Sequence, residues 1–209
     1  MEKYLFMKSA LGRISQGGFF SRAVAIGLRV IAVVVALAGL VTFVMAWKMV
    51  FQLPAAGVLG GIIYQLLFVV AIYMVVHTLI IRAHDIARLQ PAEFIVIPIA
   101  SIFLKLLGEI YACLAGAFAV GAGILIWFAG GDSFYLLRNI LPFVPFLRFG
   151  GATFLGGLMV IVGGVLAAFF ALMFFYLLSE SIVVMVDIAK NTRITRQIAE
   201  QYDKARTVA

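Results

Sequence analysis

The fold class predicted is all-α: a polytopic membrane protein with four transmembrane helices and both termini on the cytoplasmic side. Two observations predict it. Of 209 residues, 65% are hydrophobic and only 12% are charged, about half the charge of a soluble domain. The hydrophobic residues also fall in four continuous blocks, each of the ~20 residues needed to cross ~30 Å of hydrocarbon. Continuous runs rather than alternating ones argue against a transmembrane barrel.

The first block runs from about Ala23 to Trp47, and the second from about Val58 to Ile81. The third ends near Ala129 and begins between Val96 and Leu106. The fourth runs from about Phe154 to Val186. Ahead of them, residues 1–22 form an interfacial segment. Tyr4, Met7, Leu11 and Ile14 recur there at helical spacing with Lys3, Lys8 and Arg13 elsewhere, the pattern of a short amphipathic helix lying on a membrane. No small-residue cleavage site follows a short apolar core, so the first helix is expected to stay as an anchor.

The short connection Phe51-Gln52-Leu53-Pro54 makes helices one and two antiparallel neighbours, within a first pair spanning 23–91. The second pair spans 92–190. Residues 92–104 are read as an interfacial or angled approach bent at Pro98, because one helix over 94–129 would be ~54 Å long. The outer connection 130–151 has capping residues Asp132 and Ser133, a short helical run from Phe134 to Leu141, and the breakers Pro142 and Pro145. Phe134, Tyr135, Phe143, Phe146 and Phe149 make it an aromatic loop suited to the outer interface or to a contact with another protein. Nothing stops helix four after Asp187, so a cytoplasmic helical extension to about Tyr202 is expected, within a cytoplasmic tail of residues 191–209.

Charge sets the orientation. Lys3, Lys8, Arg13, Arg22, Arg82, Arg88, Lys190, Arg193, Arg196, Lys204 and Arg206 fall on one side of the blocks, against Lys48, Arg138 and Arg148 on the other. The positive-inside rule makes the first side cytoplasmic. Basic flanks attract anionic headgroups, so the net charge of +7 needs no nucleic acid. The one cysteine, Cys113, falls inside helix three and reads as a small buried side chain.

Arg29, Lys105, Glu109 and Glu180 lie inside or at the edge of the apolar blocks. Counting from the outer ends puts ~27 Å between Trp47 and Arg29, ~30 Å between Ala129 and Glu109, and ~36 Å between Gly156 and Glu180. All three, and Lys105 beyond Glu109, come out near the inner boundary of the hydrocarbon. Lys105 and Glu109 are at i,i+4 spacing and are expected to pair. An inner-boundary charge layer is one reading of this set. A proton or ion path using Glu109, Glu180 and Arg29 is the other.

Small residues mark packing faces. Gly163, Ala167 and Ala171 form a row on helix four, beside Gly156-Gly157 and Gly164, and helix three offers Ala115, Ala119 and Gly123. Such residues let backbones approach closely in lipid. His77 and His84 share a face of helix two; an axial haem pair would need His77 from two chains. No nucleophile–histidine–acid set, metal-ligand spacing or phosphate-binding glycine pattern is present, so no enzyme, resident metal or cofactor is expected.

Asp85-Ile86-Ala87-Arg88 leaves helix two and Asp187-Ile188-Ala189-Lys190 leaves helix four, and Trp47 and Trp127 end helices one and three. This suggests a tandem two-helix repeat. The run from Glu180 to Thr192, after a glycine-rich helix, resembles a family of small two-helix bacterial membrane proteins of unknown function over residues 150–198. The resemblance implies a bacterial inner membrane and no activity. The functional expectation is a non-catalytic scaffold or accessory subunit that assembles with itself or with a larger inner-membrane complex. A small channel or transporter is the alternative, and a haem- or quinone-associated subunit the third.

Overall fold

A computed structural model describes residues 17–89, 96–140 and 153–208, with side chains for 19–89, 96–130 and 153–201. The described residues form helices α1 (Gly17–Val50), α2 (Ala55–Ala87), α3 (Val96–Ile140) and α4 (Phe154–Val208). Four helices are long and apolar enough to cross a membrane. The N-terminal segment 1–16 and Phe143, Phe146 and Phe149 of the aromatic loop lie outside the described residues. Phe134 and Tyr135 fall on described helical backbone.

Residues 51–54 turn α1 into α2, with Pro54 just before the first turn of α2. At that position the missing N–H costs nothing, because the first four N–H groups of a helix have no partner within it. The same reason corrects the expectation at Pro98. That proline is the third residue of α3, inside the first turn, and the helix passes through it without leaving helical geometry. No break at Pro98 separates 96–104 from the rest of α3. The break comes instead at Gly130, with φ 60° and ψ −138°, a conformation that a side chain disfavours. A short helical piece to Ile140 follows. α4 begins beyond Thr153, whose hydroxyl accepts from the Gly156 N–H at 3.1 Å, as an N-cap does.

Close backbone approach runs along the sequence: α1 on α2, α2 on α3, α3 on α4, with the other pairings marginal. Each pair is antiparallel. On α1 and α2, Val50 lies by Gly61 and Gly39 by Ile72. Gln65, 2% exposed, donates its amide N–H to the Phe43 carbonyl at 3.3 Å. On α2 and α3, Gly57 meets Ala129, Gly60 meets Phe128, and Gly121 meets Tyr64. A Cβ on any of these three glycines would come within 2.8 Å of a neighbour, so glycine is what lets the helices close.

The apolar core lies toward the end of the molecule where α2 finishes. Ala25, Leu28 and Ala32 of α1 pack there with Val75, Leu79, Ala83 and Ile86 of α2 and Ile99 and Leu106 of α3. α4 adds nothing to that cluster. The most apolar stretch of α3 is 33% buried, that of α4 only 11%. Apolar side chains gain little from packing on each other when lipid is the alternative. What attaches α4 is therefore close backbone contact and polar bonding.

Candidate functional site

The seam between α3 and α4 is built first from small residues. Gly157 faces Gly123, and Gly164 faces Ala119. Ala168 is 6% exposed, and further along Phe175 covers Gly108. The α4 row is thus Gly157, Gly164, Ala168, Phe175 and Ser179, alternating steps of seven and four. That spacing averages close to the helical repeat and keeps one line facing the neighbour. The row Gly163, Ala167, Ala171 steps by four each time and drifts around the helix; its members are half-buried. Gly156 is buried beside Gly157, and Ala115 offers its carbonyl edge to Gly164. At the Gly130 end of the seam the Trp127 indole N–H donates to the Phe154 carbonyl at 2.9 Å, and the two rings stack at 5.0 Å.

Toward the other end the seam becomes polar. Ser179, 0% exposed, donates its hydroxyl to the Ser101 carbonyl at 3.0 Å and lies 2.7 Å from the Ser101 hydroxyl. About a turn away a knot joins three helices. The Arg82 guanidinium of α2 grips both carboxylate oxygens of Glu109 on α3, with its Nε 2.9 Å from Oε2 and its Nη2 on Oε1. Its Nη1 donates to Asp85 Oδ2 at 3.0 Å. Its Nη2 also reaches the Tyr176 hydroxyl of α4 at 3.2 Å, and that hydroxyl donates to Glu109 Oε1. Lys105 holds its ammonium 5.4 Å from the centre of the Tyr176 ring, within cation–π range.

The planar fork of arginine explains the choice of partner. It binds a carboxylate through two parallel bonds, which a lysine ammonium cannot do. Glu109 is therefore taken by Arg82 from another helix, and the expected i,i+4 pair with Lys105 gives way to the Lys105–Tyr176 contact. Two cations, Arg82 and Lys105, stand with two carboxylates, Glu109 and Asp85, so the knot is neutral as a whole. Every buried side-chain nitrogen and oxygen among the described residues has a partner, which low-dielectric surroundings demand.

The other sequence-singled charges are not gathered here. Arg29 is exposed on α1, and Glu180 is exposed on α4 beside the buried Ser179. His77 is exposed and stacks on Tyr73 with ring centres 5.8 Å apart, while His84 is exposed near the end of α2. Cys113 is half-buried on α3. Sequence reasoning missed Arg82, Tyr176, Ser101 and Ser179. It ended the second block at Ile81, just short of Arg82, whereas α2 continues to Ala87. Two signals were present: Asp85 follows Arg82 by three residues, and Tyr176 precedes Ser179 by three on one face of an otherwise apolar run.

Past the seam α4 continues as an exposed helix. Every residue from Asp187 to Gln201 is exposed. Among them Ile188, Ile194 and Ile198 are 60, 53 and 48% exposed. No protein-family model matches the chain, and neither the curated proteins nor the solved structures contain a significant match.

Proposed function

We propose that this protein is a non-catalytic membrane scaffold or accessory subunit, assembling with copies of itself or with a larger complex of a bacterial inner membrane. The observation that carries this reading is the uncovered end of α4. From Asp187 onward the helix lies beyond the apolar run, with every residue to Gln201 exposed and its isoleucines open. In water a helix of ~12–15 residues is marginal unless an apolar face is packed. Lipid can cover apolar groups inside the bilayer but not beyond it. A partner protein supplies the missing cover.

In this reading both termini face the cytoplasm, where the positive-inside rule puts the basic flanks. The knot of Arg82, Glu109 and Tyr176 is then an inner-boundary brace that fixes α4, and so aims its extension. Charge paired near a wet boundary costs far less than charge at the midplane. The test is mass determination of the intact assembly after gentle extraction. The expected result is a species containing more than one chain, self or foreign. A lone 22.7 kDa chain in every mild detergent and in native-membrane nanodiscs contradicts the proposal.

A further inference from the structure

Two opposite charges lie open on the first and last helices. Arg29 is exposed on α1 and Glu180 on α4. Each follows a residue that seats its helix: Leu28 is buried in the core shared with α2, and Ser179 is bonded to Ser101 of α3. The next residue is turned ~100° around the helix from that contact, so both charges face outward. Their surroundings on the helix are apolar. Ile26 and Val33 flank Arg29, Leu177 and Val184 flank Glu180, and all four are exposed.

The two charges stand at nearly one depth. Gly39 lies by Ile72, so in antiparallel register Arg29 comes level with Arg82. Arg82 in turn reaches the Tyr176 hydroxyl, and Glu180 is one turn beyond Tyr176. Each Cα–Cβ bond tilts toward the N-terminus of its helix. Because α1 and α4 run in opposite directions, Glu180 leans back toward the level of Tyr176, and Arg29 leans toward that of Glu180. Arg22 precedes Arg29 by seven residues and Asp187 follows Glu180 by seven, about 10 Å of mostly apolar helix. From there the long stem of Arg29 can carry its charge to the headgroups. Glu180 is short and leans away from them. A carboxylate so placed is costly without a cation beside it.

We propose that α1 of one copy packs against α4 of a second copy, joined by a bond between Arg29 and the partner's Glu180. A guanidinium binds a carboxylate through two parallel bonds. One chain supplies both halves of that pair at matching depth on separate faces, which favours a second copy over a foreign protein. The inference rests on the proposed assembly and names the faces that make it. The contact is heterologous, so mixing suitable chains can restore opposite charges across it.

The test is the size of the assembly formed by the full chain after gentle extraction, read by native mass spectrometry. Wild type is expected to hold more than one copy. Arg29→Glu alone and Glu180→Arg alone each set like charges across the contact and are expected to lower the assembled fraction about tenfold or more. Two differently tagged chains, one with each substitution, have opposite charges at every contact between unlike chains. Expressed together, they are expected to form mixed assemblies at the wild-type level. A pair formed within one chain gives no such rescue. Assemblies that survive both single substitutions, a mixture that stays dissociated, or wild type found only with foreign chains each overturn this inference and leave the proposed function standing. Wild type found only as a single chain overturns both.

Discussion

Two arginine–glutamate pairs on this chain have the same chemistry and different meaning. Arg82 and Glu109 join two helices, with side chains 19 and 18% exposed, and a tyrosine from a third helix completes them. Arg196 and Glu200 sit one turn apart on α4 at 3.0 Å, with side chains 81 and 58% exposed. The first pair is withdrawn from water, so either charge left alone would be costly. The second is open to water and ions, where such pairs add little. The contrast divides α4 in two. One half is bound to its neighbours by close backbone contact and by hydrogen bonds. The other carries hydroxyls that bond within the helix, such as Thr192 to the Ile188 carbonyl and Thr195 to the Asn191 carbonyl, both below 3.0 Å.

Removing Glu109 strains that contrast most. Glu109→Ala leaves the Arg82 fork without its main partner and is expected to destabilise the protein by about 3 kcal/mol, read as lower resistance to unfolding in mixed micelles of rising dodecyl sulfate content. Replacing Arg82 and Glu109 together by methionine should recover most of the loss, because no orphaned charge remains. Were the single and double variants equally weak, the knot would be acting through shape and not charge.

Gly164→Leu comes next. A side chain there meets Ala119 on the facing helix, and overpacking of this kind costs about 2 kcal/mol. Cross-linking between cysteines placed near Trp127 on α3 and near Phe154 on α4 should fall in parallel. Tyr176→Phe removes one hydroxyl that donates to Glu109 and accepts from Arg82, an expected loss of about 1 kcal/mol in the same unfolding assay. Smallest is Arg196→Ala, expected to shift stability by less than ~0.5 kcal/mol. A loss there matching that of Glu109→Ala would erase the distinction between the two halves of α4.

The spans were readable from the sequence because their signal is one-dimensional: length and apolar content are enough to find Gly17–Val50 or Ala55–Ala87, though each runs six residues past the expected bound at one end. Pro98 misled because a proline bends a helix interior but is harmless in the first turn, and only the position of the helix start decides between these. The polar knot was half visible. Glu109 and Lys105 stood out as charges in an apolar run, yet their partners depended on how the helices align. Arg82 and Glu109 meet only once α2 and α3 are in antiparallel register, which no local spacing records. The same holds for the α4 row, where Gly157, Gly164 and Ala168 face α3 and Gly163 falls to one side.

The central claim is that α4 beyond the membrane is a covered surface in the assembled protein. Amide hydrogen exchange over Asp187–Gln201 tests it most directly, compared between the protein in its native membrane and the purified single chain. The account predicts slow exchange in the membrane and fast exchange in the isolated chain, because a lone helix there opens readily. Equally fast exchange in both would contradict it.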